Sequence, residues 1–167
     1  MQEIGFGGGC HWCTEGVFQA LRGVVAVDQG FLQSEAPWNA WAEGVIVRFD
    51  PTIIGLVTLA EIHLRTHSAN GNYSPGGRYR SAIYVFDVDQ RRDVTRVIAE
   101  FQQASGEAAR TLVLEVSGFK PSDARYQNYY RTDPDRPFCR RFIDPKLDYL
   151  RRHFAEIVLP EETPPAP

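Results

Sequence analysis

Cysteine is scarce in this chain. Three residues, Cys10, Cys13 and Cys139, make an odd number, too few for a disulfide scaffold. In a reducing compartment such cysteines are catalytic or metal-binding more often than structural. An excess of one charge is also missing. The 18 Lys and Arg against 21 Asp and Glu leave a net charge of −3, which favours neither nucleic acid nor an acidic membrane as a partner. No apolar run is long enough to cross a bilayer. The first residues are not basic and run directly into a strand, so no secretory leader is expected. Internal repeats and domain linkers are lacking too. What remains is an ordinary globular composition in 167 residues, enough for one domain with a sizeable core. The expectation is a cytoplasmic monomer, with a single domain over residues 1–158 and a flexible Pro-rich tail over 159–167.

Hydrophobic patterning predicts strands over residues 2–6, 24–31, 44–49, 79–87 and 112–116, and helices over 12–21, 56–66 and 89–105. Gly23 and Gly106 stop the first and third helices, and Asp50-Pro51 breaks the chain after the third strand. Residues 32–42 form a loop containing Trp38 and Trp41, and residues 70–77 a loop of Gly, Asn, Pro and Ser. Short helices follow over 123–130 and 146–155. Strands alternate with helices, yet several links are too short for crossover helices. The pattern predicts an α+β fold: a mixed sheet with a split βαβ (ferredoxin-like) core and helices packed on it.

The densest chemistry lies in Gly7-Gly8-Gly9-Cys10-His11-Trp12-Cys13-Thr14-Glu15. Three glycines let the backbone turn sharply and a substrate approach closely. The N–H groups at a helix start are unpaired and partly positive, so a cysteine placed there is held as a reactive thiolate. Cys10 is therefore the candidate nucleophile. Cys13 lies one helical turn away, close enough to bridge, and C-x-x-C alone fits redox exchange or half a zinc site. Cys139, in Asp133-Pro134-Asp135-Arg136-Pro137-Phe138-Cys139, is either a core cysteine or a resolving thiol on a mobile, proline-rich segment. A sulfenic acid on Cys10 is open to capture by Cys13 or by Cys139. Glu43 sits between small and aromatic residues just before an apolar run; a carboxyl there would have a raised pKa and could donate a proton. A charged imidazole at His11 would lower the pKa of its neighbour Cys10. Trp12 is a core residue or the rim over a small apolar substrate. His63 and His67, four apart on one helix face, join Cys10 and Cys13 in an imitation of a zinc pattern, with a far longer intervening spacing than a zinc finger.

Gly8-Gly9-Cys10-His11-Trp12-Cys13-Thr14-Glu15, followed by Val17-Phe18 and Leu21-Arg22-Gly23-Val24, resembles the signature of the peptide methionine sulfoxide reductase A family. The resemblance continues through Ala42-Glu43-Gly44-Val45 with Phe49-Asp50-Pro51, through Tyr79-Arg80-Ser81-Ala82-Ile83-Tyr84, and through Tyr126-Gln127-Asn128-Tyr129-Tyr130 with Cys139. It implies reduction of methionine-S-sulfoxide, in proteins, in peptides or free. In that scheme Cys10 attacks the sulfoxide sulfur and Glu43 protonates the oxygen, aided by tyrosine hydroxyls with Tyr79 in the matching position. A resolving cysteine then forms a disulfide, which thioredoxin or another dithiol reduces; no cofactor and no metal are implied. Trp12 matches the wall of the methyl pocket, Tyr129 a C-terminal tyrosine near the site, and Cys139 the usual recycling position.

The chain also departs from that pattern. His11 replaces the usual Phe and makes one pocket wall polar, and Cys13 replaces the usual Gly. The loop after Gly30 is short and drops a tyrosine that typically assists the acid, with Trp38 available to fill part of that space. Ser74 stands near the usual Asp of the glycine loop. Two other readings stay open: disulfide exchange through Cys10 and Cys13, which needs neither Glu43 nor Tyr79, and a zinc-stabilised binding module of Cys10, Cys13, His63 and His67.

Overall fold

The computed structural model describes residues 1–67, 71 and 76–160. Six strands form one mixed sheet among the described residues: β1 (Gln2–Gly7), β2 (Val24–Gln33), β3 (Ala42–Phe49), β4 (Ala82–Val85), β5 (Leu112–Glu115) and β6 (Gly118–Pro121). Their order is β5-β4-β1-β3-β2-β6. Only β4 and β5 run parallel; each other neighbouring pair is antiparallel. The helices are α1 (His11–Gln19), α2 (Leu56–Thr66), α3 (Val88–Ser105), α4 (Tyr129–Thr132) and α5 (Asp144–His153), with a π-helical turn at Cys139–Ile143. The architecture is α+β.

Strand alternation sorts side chains to two faces of the sheet. Val45, Val47 and Phe49 of β3 point one way, into the large core with Phe6, Phe18, Leu59, Val94 and Ile143. Ile46 points the other way, into a smaller cluster with Leu32, Ala82, Tyr84 and Leu114. Phe6 of β1 stacks on Phe18 of α1 at 4.4 Å, and both are buried. Burying a ring of that size contributes about 1.5–3 kcal/mol, enough to fix the helix on the strand. The long helix α3 has a defined start and stop. The Asp87 side chain accepts from the Gln90 N–H at 2.8 Å, and Gly106 ends the helix in the left-handed conformation.

Two expectations need correction. The strand predicted over 79–87 shrinks to Ala82–Val85 because the chain turns at Arg80, whose N–H bonds back to the Gly77 carbonyl. The Arg80 side chain is fully buried, with its guanidinium on the Tyr84 hydroxyl and the Ala40 carbonyl. Strand β6 was not anticipated, and it pairs with the edge of β2. At the end of the described residues the Leu159 N–H donates to the Ala20 carbonyl at 2.8 Å. Residues 161–167 lie outside the described residues.

Candidate active site

Strand β1 ends against the start of α1, and the turn between them is built from glycine. Gly8 and Gly9 have φ of 147° and 73°, in the region that disfavours side chains. A Cβ on Gly8 would also stand 2.6 Å from the His67 ring. The turn delivers Cys10 to the N-cap of α1, half-buried. Its thiol is held below the usual range. The leading cause is a hydrogen bond donated by the Cys13 thiol, with further help from the backbone N–H groups of Trp12 and Cys13; burial and Glu43 oppose. Cys13 is correspondingly pushed up by that same bond and by burial.

Glu43 opens the apolar run of β3 and is 3% exposed, on the helix-facing side of the sheet with Val45. Its Oε1 accepts from the His11 N–H at 3.2 Å and lies 3.4 Å from His11 Nε2. Its Oε2 accepts from Arg78 Nε. The Glu43 N–H in turn donates to the Arg78 carbonyl at 2.7 Å, so strand and loop are tied at this point. Phe31, paired with Glu43 across the ladder, meets the His11 ring edge-on at 5.5 Å. The Arg78 guanidinium lies 5.8 Å from the rings of both Phe31 and Tyr79.

Trp12 stacks flat on Tyr129 at 4.1 Å, with Phe138 edge-on to both rings. Arg136 covers Tyr129 at 4.1 Å. Tyr129 is held there by its backbone. Glu15, fully buried on α1, accepts the N–H groups of Asn128 and Tyr129 at 2.9 Å each. Burial pushes the Glu15 carboxyl up, and those two bonds oppose it.

The structure thus brings together Cys10, His11 and Glu43, and beside them Trp12 and Tyr129. Tyr79 touches the site through its backbone, accepting the Gly9 N–H at 3.3 Å, while its side chain is 49% exposed. Trp38 packs against the cluster of Leu32 and Ile46, on the face of the sheet opposite Glu43. Cys139 starts the π-helical turn, is fully buried in the core and donates to the Asp133 carbonyl at 3.6 Å. Burial pushes its thiol up. Cys139 still lies near enough to raise the Cys13 pKa electrostatically, and Lys146 near enough to lower it.

His63 and His67 do not converge with the cysteines on a metal-binding group. His63 Nε2 contacts the Gly7 carbonyl at 2.8 Å, and His67 Nε2 the Ser81 hydroxyl at 2.7 Å. Among the described residues no group of three or more His, Cys, Asp or Glu is disposed to hold a metal ion. The three thiols are free. Cys13, His63, His67, Thr66 and Lys146 line a small cavity of about 20 Å³ behind α1. No described helix is long and apolar enough to cross a membrane. Ser74 lies outside the described residues. Arg78 and Glu15 were missed at the sequence level, because a lone charged residue reads as solvated. Their only signals are adjacency to Tyr79 and membership of the cysteine motif.

A thiol lowered at a helix start beside an enclosed carboxylate defines a thiol-dependent enzyme. A sequence profile described as peptide methionine sulfoxide reductase matches residues 2–157. The MsrA of Thermus thermophilus is 30% identical over 92% of this chain and 95% of its own length. That of Psychrobacter sp. is 32% identical over 93% and 98%. Among solved structures, methionine sulfoxide reductase A of Corynebacterium diphtheriae superposes with a TM-score of 0.67 at 24% identity, over 80% of this chain and 75% of that one. Mxr1 of Saccharomyces cerevisiae in complex with Trx2 gives 0.61 at 22%, over 77% and 84%. These two likenesses concern the fold. The chain belongs to the peptide methionine sulfoxide reductase family and is an enzyme of that kind.

Proposed function

We propose that the protein reduces the S epimer of methionine sulfoxide, in proteins, peptides or free, with Cys10 as nucleophile, Glu43 as proton donor and Cys13 as the first resolving thiol. The observation that carries this reading is the placement of a thiol held toward its anion next to a carboxylate enclosed by protein. Sulfoxide sulfur is a weak electrophile, and its oxygen leaves only when protonated. Cys10 thiolate, sulfoxide and one proton give methionine and Cys10 sulfenic acid. The substrate S–O bond breaks, a new S–O bond forms on Cys10, and the methionine sulfur keeps its electron pair. The Cys13 thiol then attacks, forming Cys10–Cys13 and releasing water. An external dithiol of the thioredoxin type returns both thiols by exchange, with no bound cofactor. A relative solved with Trx2 supports that partner.

Cys13 is favoured over Cys139 because it follows Cys10 by one helical turn and is only part-buried, whereas Cys139 is fully buried. Cys139 would enter second, by exchange with Cys13. Trp12 on Tyr129 would wall the methyl group, and the Tyr79 hydroxyl would reach the oxygen from its exposed position. We read residues 1–158 as one catalytic domain, monomeric and cytoplasmic. We read β4-β1-β3-β2 with α1 and α2 as its split βαβ core, for which the strand order and directions are the support.

The test supplies each epimer of a methionine sulfoxide with reduced thioredoxin. Turnover of the S epimer alone is expected, with Cys10→Ser inert. No turnover of either epimer would sink the reading. Disulfide exchange that survives Glu43→Gln, without sulfoxide reduction, would point to the exchange enzyme instead.

A further inference from the structure

His11 is buried, 6% exposed, and each of its ring nitrogens lies near an oxygen. Nδ1 lies 2.9 Å from the Gly30 carbonyl oxygen, which only accepts. Nδ1 therefore carries a hydrogen whatever the charge of the ring. In the neutral ring Nε2 then bears a lone pair, 3.4 Å from Glu43 Oε1. Two lone pairs facing each other inside protein repel. One proton between them, on the carboxyl or on the ring, turns that repulsion into an attraction.

We propose that His11 and Glu43 hold one proton jointly, and that His11 is the positioning residue that keeps it at Oε1 for delivery to the sulfoxide oxygen. The proposal rests on the reductase reading above and deepens it. Without His11, Glu43 faces Arg78 on Oε2 and a backbone N–H on Oε1, and both favour a bare carboxylate. An acid so placed needs a partner that gains from the proton. As the proton passes to the sulfoxide oxygen, the pair is left empty, Arg78 stabilises the carboxylate, and solvent refills the pair. No other reactant is consumed.

The groups facing His11 are few. Glu43 approaches from β3, Arg78 from the segment before β4, and Cys10 precedes it in the chain. Strand β2 supplies the Gly30 carbonyl and the Phe31 ring, and Lys120 of β6 lies 5.6 Å from that ring. Burial, and then Arg78, disfavour a lone imidazolium, while the Gly30 carbonyl and Glu43 favour it. Together they lower the His11 pKa from its ordinary value.

The experiment has two arms. Single-turnover reduction of the S sulfoxide is followed against pH in the wild type, His11→Phe and Arg78→Ala. His11→Phe should lose at least about tenfold in rate at pH 7 and move the alkaline limb to lower pH; Arg78→Ala should move it upward. A purely structural role for His11 would lower the rate and leave the limb in place, which overturns the proposal. The second arm is nitrogen NMR of the His11 ring in the resting protein, in wild type and Glu43→Gln. The neutral ring should carry its hydrogen on Nδ1, and Glu43→Gln should shift its titration to lower pH. A hydrogen on Nε2, or a titration indifferent to Glu43→Gln, refutes the pair. Because this arm uses no substrate, it separates failure of the proton pair from failure of the reductase reading.

Discussion

Glu15→Ala tests how the wall of the site is held. The wild-type carboxylate accepts two backbone N–H groups, from Asn128 and Tyr129, at 2.9 Å each. A hydrogen bond to a charged group contributes about 1.5–3 kcal/mol, so the two together are worth roughly 3–6 kcal/mol. Part is offset by the cost of burying the charge, which is why the Glu15 carboxyl titrates above its ordinary value. The alanine variant should therefore lose roughly 2–4 kcal/mol in urea unfolding followed by tryptophan fluorescence. It should also raise KM more than it lowers kcat, because Tyr129 would no longer be fixed on Trp12. The pH dependence follows from the sign of the shift. A carboxyl raised in the folded state stabilises most at low pH, and that stability is lost as pH rises through the folded value. The stability gap between wild type and Glu15→Gln should hence shrink as pH rises from 4.5 toward neutrality. A Glu15→Ala protein within about 0.5 kcal/mol of wild type would refute the reasoning.

Other outcomes follow from the same geometry. Cys13→Ser should leave the first methionine released but let the Cys10 sulfenic acid persist, visible as a dimedone adduct by mass spectrometry; rapid loss of that acid through Cys139 would reverse the assigned order of thiols. Lys146→Met removes a cation that Cys13 senses and should slow formation of the Cys10–Cys13 bond at fixed pH, with methionine release unchanged. Gly30→Ala would place a Cβ 2.2 Å from the Lys120 carbonyl, so β6 must shift, and a loss of more than about 1 kcal/mol is expected in unfolding. His63 and His67 are both held neutral by burial, His67 down to about 4. Their depressed values mean that stability is lost as pH falls from 6.5 toward 4, and His67→Asn should flatten that loss in urea titrations.

What the sequence made legible depended on how local the cause was. Helix α2 was bounded correctly at both ends because Leu56, Leu59 and Ile62 repeat at helical spacing and Pro51 clears the chain before it. Cys10 was legible for the same reason, since the glycine turn and the helix start are adjacent in sequence. Glu43 drew its enclosed setting from small and aromatic neighbours, but its partners came from 32 and 35 residues away and left no local trace. Arg80 misled the strand assignment because a buried guanidinium is exceptional, and it is tolerated here through its bonds to Tyr84 and Ala40. Trp38 drew its expected place from the shortened loop around it, while the side of the sheet it packs on is a matter of strand parity across β2 and β3. Strand β6 depends wholly on an edge offered by β2, so no reading of its own four residues would find it.

The register of β1 against β3 has a consequence for how the enzyme comes into being. Phe6 pairs with Val45, which lies two residues past Glu43 on β3, and Cys10 follows Phe6 by four residues along the chain. A slip of one residue would turn Glu43 to the far side of the sheet. Helix α1, only nine residues long, does not persist in water without the sheet beneath it. A nascent or unfolded chain therefore carries Cys10 as an ordinary thiol, without the helix start and without Glu43 beside it. The setting that lowers the Cys10 thiol arrives only with the finished ladder, so the thiol stays ordinary through the stage when the chain is least protected.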